Sequence, residues 1–294
     1  MSTLLMVSGA SRGLGRAISI AFAQSPRLQA DVPMVAVLLA RSKVGGLDGT
    51  EKEMQLARPS NLTIHGYSVD LGNLDTLEQQ VEPIFEKHSF LFLPADDNGS
   101  TDPPSTAILI NCAGTTGYIG RIPPSLSEIR QAIDLNFTSK AWLTTRFLQQ
   151  FQHYSNTTVV NVSSVSAIKP TPTMGLYCAA SAAREMFHTV LAMDTTTTTT
   201  TTTTCCDRQQ VANSTITRIL NYAPGPSDTD MQAFLRTHES LDPTVQSYCH
   251  TLQSEGSIVK VEDTAAELAR RVLEPNAFQS GERVEFVGTL AYHY

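Results

Sequence analysis

Short apolar runs alternate with longer stretches of helical period along this chain, and the alternation predicts its architecture. The runs are Leu4–Val7, Met34–Leu39, Leu62–Tyr67, Ala107–Ile110, Thr158–Val162, Ile216–Leu220 and Arg283–Val287. Being short and almost continuously apolar, they fit strands covered on both faces. Helical patterns lie between them, near 13–24, 73–88, 125–151, 175–193 and 262–273. Such alternation argues for βαβ units, and right-handed crossovers gather the runs into one sheet. The expected fold is therefore α/β: a doubly wound, seven-stranded parallel sheet with helices on both faces, in a single domain over 1–294. Two stretches look inserted. Leu93–Ser105 is rich in Pro, Asp and Gly and reads as a surface loop. Residues 195–206, the threonine run Thr195–Thr204 with Cys205 and Cys206, cannot build a core and read as a disordered excursion.

Composition narrows the function. The 294 residues are 41% hydrophobic and 17% charged, ordinary for a globular protein with a sizeable core. A formal net charge of −7 argues against a nucleic-acid surface, which needs clustered Lys and Arg. No apolar run approaches the ~20 residues that span a bilayer. The five cysteines show neither metal-ligand spacing nor an even count, so no metal is expected and a reducing, cytoplasmic compartment fits.

Candidate chemistry begins straight after the first run. Ser8-Gly9-Ala10-Ser11-Arg12-Gly13-Leu14-Gly15 separates a strand from a helix. Glycines at 9, 13 and 15 let the backbone turn tightly, and the N–H groups of Ser11, Arg12 and Leu14 come with it, a cradle for a pyrophosphate at a helix N-terminus. This makes the fold Rossmann-type. A turn of this kind also occurs for structural reasons alone. After the second run no acid precedes Asp48, whereas Arg41 follows directly, with Arg12 and Lys43 near in kind. An Arg offers a fork to a ribose 2′-phosphate, so NADP(H) is favoured over NAD(H). Asp70 and Leu71 follow the third run, and Asn111, Ala113 and Gly114 lie in the turn after the fourth. Both fit an adenosine pocket, and both are explicable as turn chemistry. After the sixth run, the rigid Pro224-Gly225-Pro226 turn leaves Thr229 free to contact a nicotinamide carboxamide.

Ser164 follows the fifth run and Tyr177 opens the next helical pattern, so both fall at the carboxyl edge of the expected sheet. There Ser164 would hydrogen-bond a substrate carbonyl and its developing alkoxide, and Tyr177 would give that oxygen a proton. Asn136, a poor helix former inside 125–151, would hold a proton-relaying water or lie at the surface.

Together these residues resemble the short-chain dehydrogenase/reductase family, and within it the sepiapterin-reducing subgroup. The resemblance is carried by Gly9–Gly15, Val160–Ser164, Tyr177-Cys178-Ala179, Ala182–Met186, Asn221–Met231 and Phe278–Phe286, and covers nearly the whole chain outside the insertions. It implies NADPH-dependent reduction of a pterin side-chain dicarbonyl in tetrahydrobiopterin synthesis, by a homodimer or larger assembly. It also implies a carboxylate near the C-terminus for the pterin's guanidine-like edge, and Glu285 stands there in place of the usual Asp. Ser164, Tyr177 and Glu285 would then contact the substrate.

One departure stands out: the family's Lys, four residues after the Tyr, is Ser181 here. Its loss predicts a slow enzyme rather than a dead one, since general acid–base help is typically worth ~10²–10⁴-fold. Lys140, one turn beyond Asn136, is a candidate substitute cation, whereas Arg184 already belongs to the family pattern. Two alternatives stay open: a reductase of another diketone or aldehyde, and a non-catalytic NADP-binding protein.

Overall fold

A computed structural model describes residues 2–28, 31–42, 46–89, 106–123, 125–197 and 216–286. Seven parallel strands form one sheet: β1 (Thr3–Ser8), β2 (Met34–Ala40), β3 (Leu62–Ser68), β4 (Thr106–Asn111), β5 (Asn156–Val162), β6 (Ile216–Ala223) and β7 (Arg283–Glu285). Their order is β3-β2-β1-β4-β5-β6-β7, so the chain winds outward from β1 in one direction and from β4 in the other. The helices are α1 (Gly13–Gln24), α2 (Asp48–Ala57), α3 (Leu74–Ser89), α4 (Leu126–Ile133), α5 (Ser139–Gln150), α6 (Gly175–Thr197), α7 (Asp230–Thr237), α8 (Pro243–Ser254) and α9 (Val261–Leu273). The expected doubly wound α/β sheet is what forms.

The apolar runs are continuous because alternate residues serve opposite layers. Leu5 and Val7 of β1 pack with Ile18 and Phe22 of α1 and with Leu268 and Val272 of α9. Leu4 and Met6, one residue out of phase, pack with Val81 and Phe85 of α3 and with Leu143 and Phe147 of α5. A strand sandwiched this way has no solvent face to mark with polar residues.

Several expectations need correction. The pattern over 125–151 is not one helix: α4 and α5 are joined by a π-helical turn, Asp134–Thr138, and Ser125 caps α4 by accepting the Glu128 N–H. Three helices went unpredicted. Of α2 only Thr50 and Met54 are buried, and α7 buries Gln232 alone, too little to leave an apolar period. α8, which buries Cys249 and Leu252, starts from a Pro at its first position. The threonine run does not begin outside the fold, since α6 continues through Thr197. The rest of that run, the 93–105 stretch, Lys43 and Val287 lie outside the described residues.

Two histidines are buried with no acid beside them among the described residues. Desolvation, aided by His65 and Lys87, holds His88 down to about 4, and desolvation likewise holds His188 at about 4. Unfolded, each takes a proton near its ordinary value of 6.5; folded, each resists until about 4. The stability is complete above the ordinary value and drains away as pH falls through that window. Urea unfolding should therefore show an unfolding free energy that declines from pH 7 to pH 5, by up to about 1.4 kcal/mol per pH unit for each histidine. A flat profile over that range would contradict the assignment.

Candidate active site

The turn after β1 works through close backbone approach. Gly9 and Gly13 have φ of +74° and +52°, in the left-handed region. A Cβ on Gly15 would lie 2.2 Å from the Gly9 carbonyl oxygen, and one on Gly9 would lie 2.7 Å from Ala113 Cα. The turns after β1 and β4 thus touch main chain to main chain. Ser8 stitches them, its Oγ accepting from the N–H groups of Cys112 and Ala113. A third loop joins them, because a Cβ on Gly13 would sit 3.3 Å from Thr229 Cγ2. Thr229 also caps α7 and stands on the turn containing Pro224 and Gly225, whose carbonyls both accept from Ser227 Oγ.

The other cofactor candidates are more dispersed. Arg41 is exposed at the end of β2, and its carbonyl accepts from Ser68 Oγ. Arg12 is exposed and ion-paired with Asp230 at 2.8 Å, a contact of small worth in water. Asp70 accepts the Gly72 N–H in a local turn, and the Leu71 side chain is buried in the core, which leaves Leu71 only its main chain to offer. Asn111 is fully buried, and its Nδ2 donates to Thr144 Oγ1 at 2.7 Å. Thr144 in turn meets His188 Nε2, while His188 Nδ1 faces the Arg184 carbonyl at 2.7 Å. The carbonyl can only accept, so Nδ1 carries the proton and Thr144 donates to Nε2. Asn111 is thereby a structural support beneath its turn.

Ser164 and Tyr177 sit on adjoining elements at the carboxyl edge. Ser164 caps a 3₁₀ turn, Val165–Ala167, which packs against α6. Its Oγ accepts the Ser166 N–H at 3.1 Å, which occupies a lone pair and leaves the hydroxyl proton available. Tyr177 packs its ring against Ile119, Met174 and Leu241, and its hydroxyl makes no hydrogen bond among the described residues. Arg283 ties Ser164 in place, donating from Nη2 to its carbonyl at 3.1 Å. The same guanidinium binds Glu285 at 2.8 Å and also pairs with Glu185, which accepts from Ser163 as well. Glu285, expected as a free carboxylate, is already engaged by its neighbour two residues back.

Asn136 lies in the π turn and is buried. Its carboxamide clamps the loop after β4, accepting from Thr115 N at 3.0 Å and donating to Thr115 O at 2.9 Å. Its own carbonyl accepts from Arg184 Nη1, while Arg184 Nη2 donates to the Val162 carbonyl. Ser181, one turn before Arg184, is fully buried and its Oγ has no hydrogen-bond partner among the described residues. Lys140, one turn beyond Asn136, is also buried.

A family model for short chain dehydrogenase matches residues 3–240. The chain belongs to the short-chain dehydrogenase family. It is 32% identical over 286 residues to the sepiapterin reductase of Rattus norvegicus, across 96% of this chain and 95% of that protein. The benzil reductase ((S)-benzoin forming) of Bacillus subtilis (strain 168) is 29% identical over 241 residues, 81% of this chain and 80% of that one. Among solved structures, the KRED1-Pglu enzyme superposes with a TM-score of 0.70 at 20% identity, across 96% of this chain and all of that chain, a likeness of fold. Membership of the short-chain dehydrogenase family makes the protein an oxidoreductase. None of the described helices is long and apolar enough to cross a membrane.

Within this family member, the sequence-predicted residues of the three loops after β1, β4 and β6 are brought together, and the turn that Ser164 caps packs against the helix of Tyr177. Asp70 and Arg41 stand further out along the edge. Sequence reasoning missed Thr115, Arg283 and Glu185. Only Arg283 carried a signal, since residues two apart on a strand share a face with Glu285. Replacing Asn136 by Ala strips both partners from the Thr115 main chain and should cost about 1–3 kcal/mol in denaturant unfolding. Asn136→Asp, which can accept but not donate, should retain part of that stability; equal stability of both variants with the parent would contradict the clamp.

Proposed function

We propose that the protein is an NADPH-dependent carbonyl reductase whose preferred substrate is the side-chain dicarbonyl of a pterin. The observation that carries the reading is the state of Ser164: its Oγ accepts the Ser166 N–H and keeps its own proton to donate, on a turn packed against the helix of Tyr177. The glycine turn supports a dinucleotide site: side chains at 9 and 15 would collide with main chain, so glycines there let the loops converge at the N-terminus of α1, where a pyrophosphate is received. Gly9, Ser11, Arg12, Gly13, Leu14 and Gly15 would hold the pyrophosphate, with Arg41 on the 2′-phosphate, Asp70, Leu71, Asn111, Ala113 and Gly114 around the adenosine, and Pro224, Gly225 and Thr229 at the nicotinamide. When bound, the dihydronicotinamide supplies a hydride to the carbonyl carbon.

The chain's own residues do the rest. Ser164 donates a hydrogen bond to the carbonyl oxygen and holds it as negative charge develops. Tyr177 passes its phenolic proton to that oxygen, and the apolar wall of Ile119, Met174 and Leu241 keeps water from competing. Asn136 holds the loop after β4 against the π turn. Glu285, shared with Arg283, is left to accept N–H bonds from the pterin edge with its remaining lone pairs. The reading further places the protein as one domain in the cytoplasm.

A second reading, reduction of an aromatic diketone, is favoured by the same facts seen differently. Arg283 neutralises Glu285, the wall beside Tyr177 is apolar, and a benzil reductase is among the relatives. NADPH consumption by the purified protein with sepiapterin and with benzil separates the two. Sepiapterin should be the better substrate, and Tyr177→Phe should lose at least about 100-fold in turnover. Arg41→Asp should weaken NADPH by about tenfold or more with little effect on NADH. Turnover of neither substrate despite NADPH binding would leave the non-catalytic alternative.

The reading includes a homodimer. Met186, Val190 and Met193 leave an exposed apolar stripe along α6 at helical spacing, and such a stripe is suited to a second copy. Sedimentation should give a dimer that Val190→Glu shifts toward monomer; a monomeric parent would remove this element of the proposal.

A further inference from the structure

Lys140 is a buried amine with no partner among the described residues. It is 1% exposed and makes no hydrogen bond or ion pair among the described residues. An ammonium brings three donors and no acceptor, and burying it uncompensated is strongly unfavourable. No anion stands among its described neighbours. Arg184, facing it from α6, is a buried cation; Cys112, from the turn after β4, is a thiol that burial pushes up to about 11; His188, also on α6, is held neutral at about 4. Burial and Arg184 together hold the Lys140 amine well below the ordinary lysine range.

Its position explains the expense. A Cβ on Gly114 would lie 3.7 Å from Lys140 Nζ and 3.3 Å from Asn136 Oδ1. The amine therefore lies beneath the Asn111–Gly114 turn at the carboxyl end of β4, where open α/β sheets receive ligands. A buried, perturbed amine at such a cleft is a functional candidate. The π turn Asp134–Thr138 immediately precedes α5 and sets the phase in which Lys140 enters, and π turns recur at functional positions. Ser181, by contrast, is fully buried with an orphaned hydroxyl and offers nothing to the cleft.

We propose that Lys140 is a cofactor-binding residue, its amine donating from α5 to a ribose oxygen of the bound dinucleotide, a contact that residue 181 on α6 has no side chain to make. The inference rests on the NADPH reading above. It predicts opposite signs for stability and binding. Lys140→Met keeps the volume and removes the unpartnered buried amine, so the ligand-free variant should unfold at a temperature no lower than the parent. Its affinity for NADPH, titrated by the change in NADPH fluorescence, should fall by about tenfold or more. Adding Ser181→Lys to that variant should restore a large part of the loss, since a lysine there starts from the helix face beside Arg184.

The outcomes separate cleanly. Undiminished NADPH affinity in Lys140→Met overturns the proposal while leaving the reductase reading intact. Weaker binding accompanied by lower ligand-free stability, and not rescued by Ser181→Lys, assigns Lys140 a merely structural role and overturns it too. A parent protein that binds neither NADPH nor NADH removes both this inference and the reading beneath it.

Discussion

Arg184 reaches from α6 to the carbonyl of Val162 at the end of β5 and to that of Asn136 in the π turn, both at 2.9 Å. Three elements are fixed relative to one another by one planar fork: the strand that delivers Ser164, the helix that carries Tyr177, and the turn whose Asn136 holds the loop after β4. A guanidinium suits the task because it is always charged and its donors are rigidly spaced. Burial makes the arrangement stiff as well as costly, since neither carbonyl has water to fall back on.

A second arginine does similar work nearer to the surface. Arg283 joins β7 to α6 through Glu185, to the loop after β5 through the Ser164 carbonyl, and to Glu285 on its own strand. With two carboxylates and one cation, the cluster keeps a net negative charge suited to a ligand rich in N–H donors. Partial neutralisation also softens that preference, which is why a neutral diketone remains a competitor. The carboxyl edge is thus electrostatically divided: beneath the β4 turn lie the Arg184 guanidinium and the Lys140 amine, and beside β7 lie two carboxylates with one cation.

On the proposed reading, the constellation that the resemblance implies is redistributed in this chain. Ser164, Tyr177 and Asn136 would keep their roles, and Ser181, where the resemblance implies a lysine on α6, is buried with no hydrogen-bond partner among the described residues. A lysine instead enters the same layer from α5. Helices that pack together share one interior space, so a functional group can reach it from either backbone, provided the phase of the second helix is set correctly. The π turn before α5 sets that phase.

The chain's own pattern determined the sheet. The central strands β1, β2 and β4 are written as nearly continuous apolar runs because both of their faces are covered, and the glycines at 9, 13 and 15 announce a turn that no residue with a Cβ could make at Gly9 and Gly15. The Ser164–Tyr177 spacing was legible for the same reason, since strand and helix follow each other locally. What the sequence left open was decided by contacts between distant segments. A π turn leaves no mark in hydrophobic periodicity, so 125–151 read as one helix. Nor could the pattern show that Arg283 would take up Glu285, that Asn136 would be spent on Thr115, or that Ser181 would face inward and Lys140 sit beneath Gly114. Periodicity records which side of an element meets apolar surroundings; which polar groups meet inside is settled only when the elements have packed.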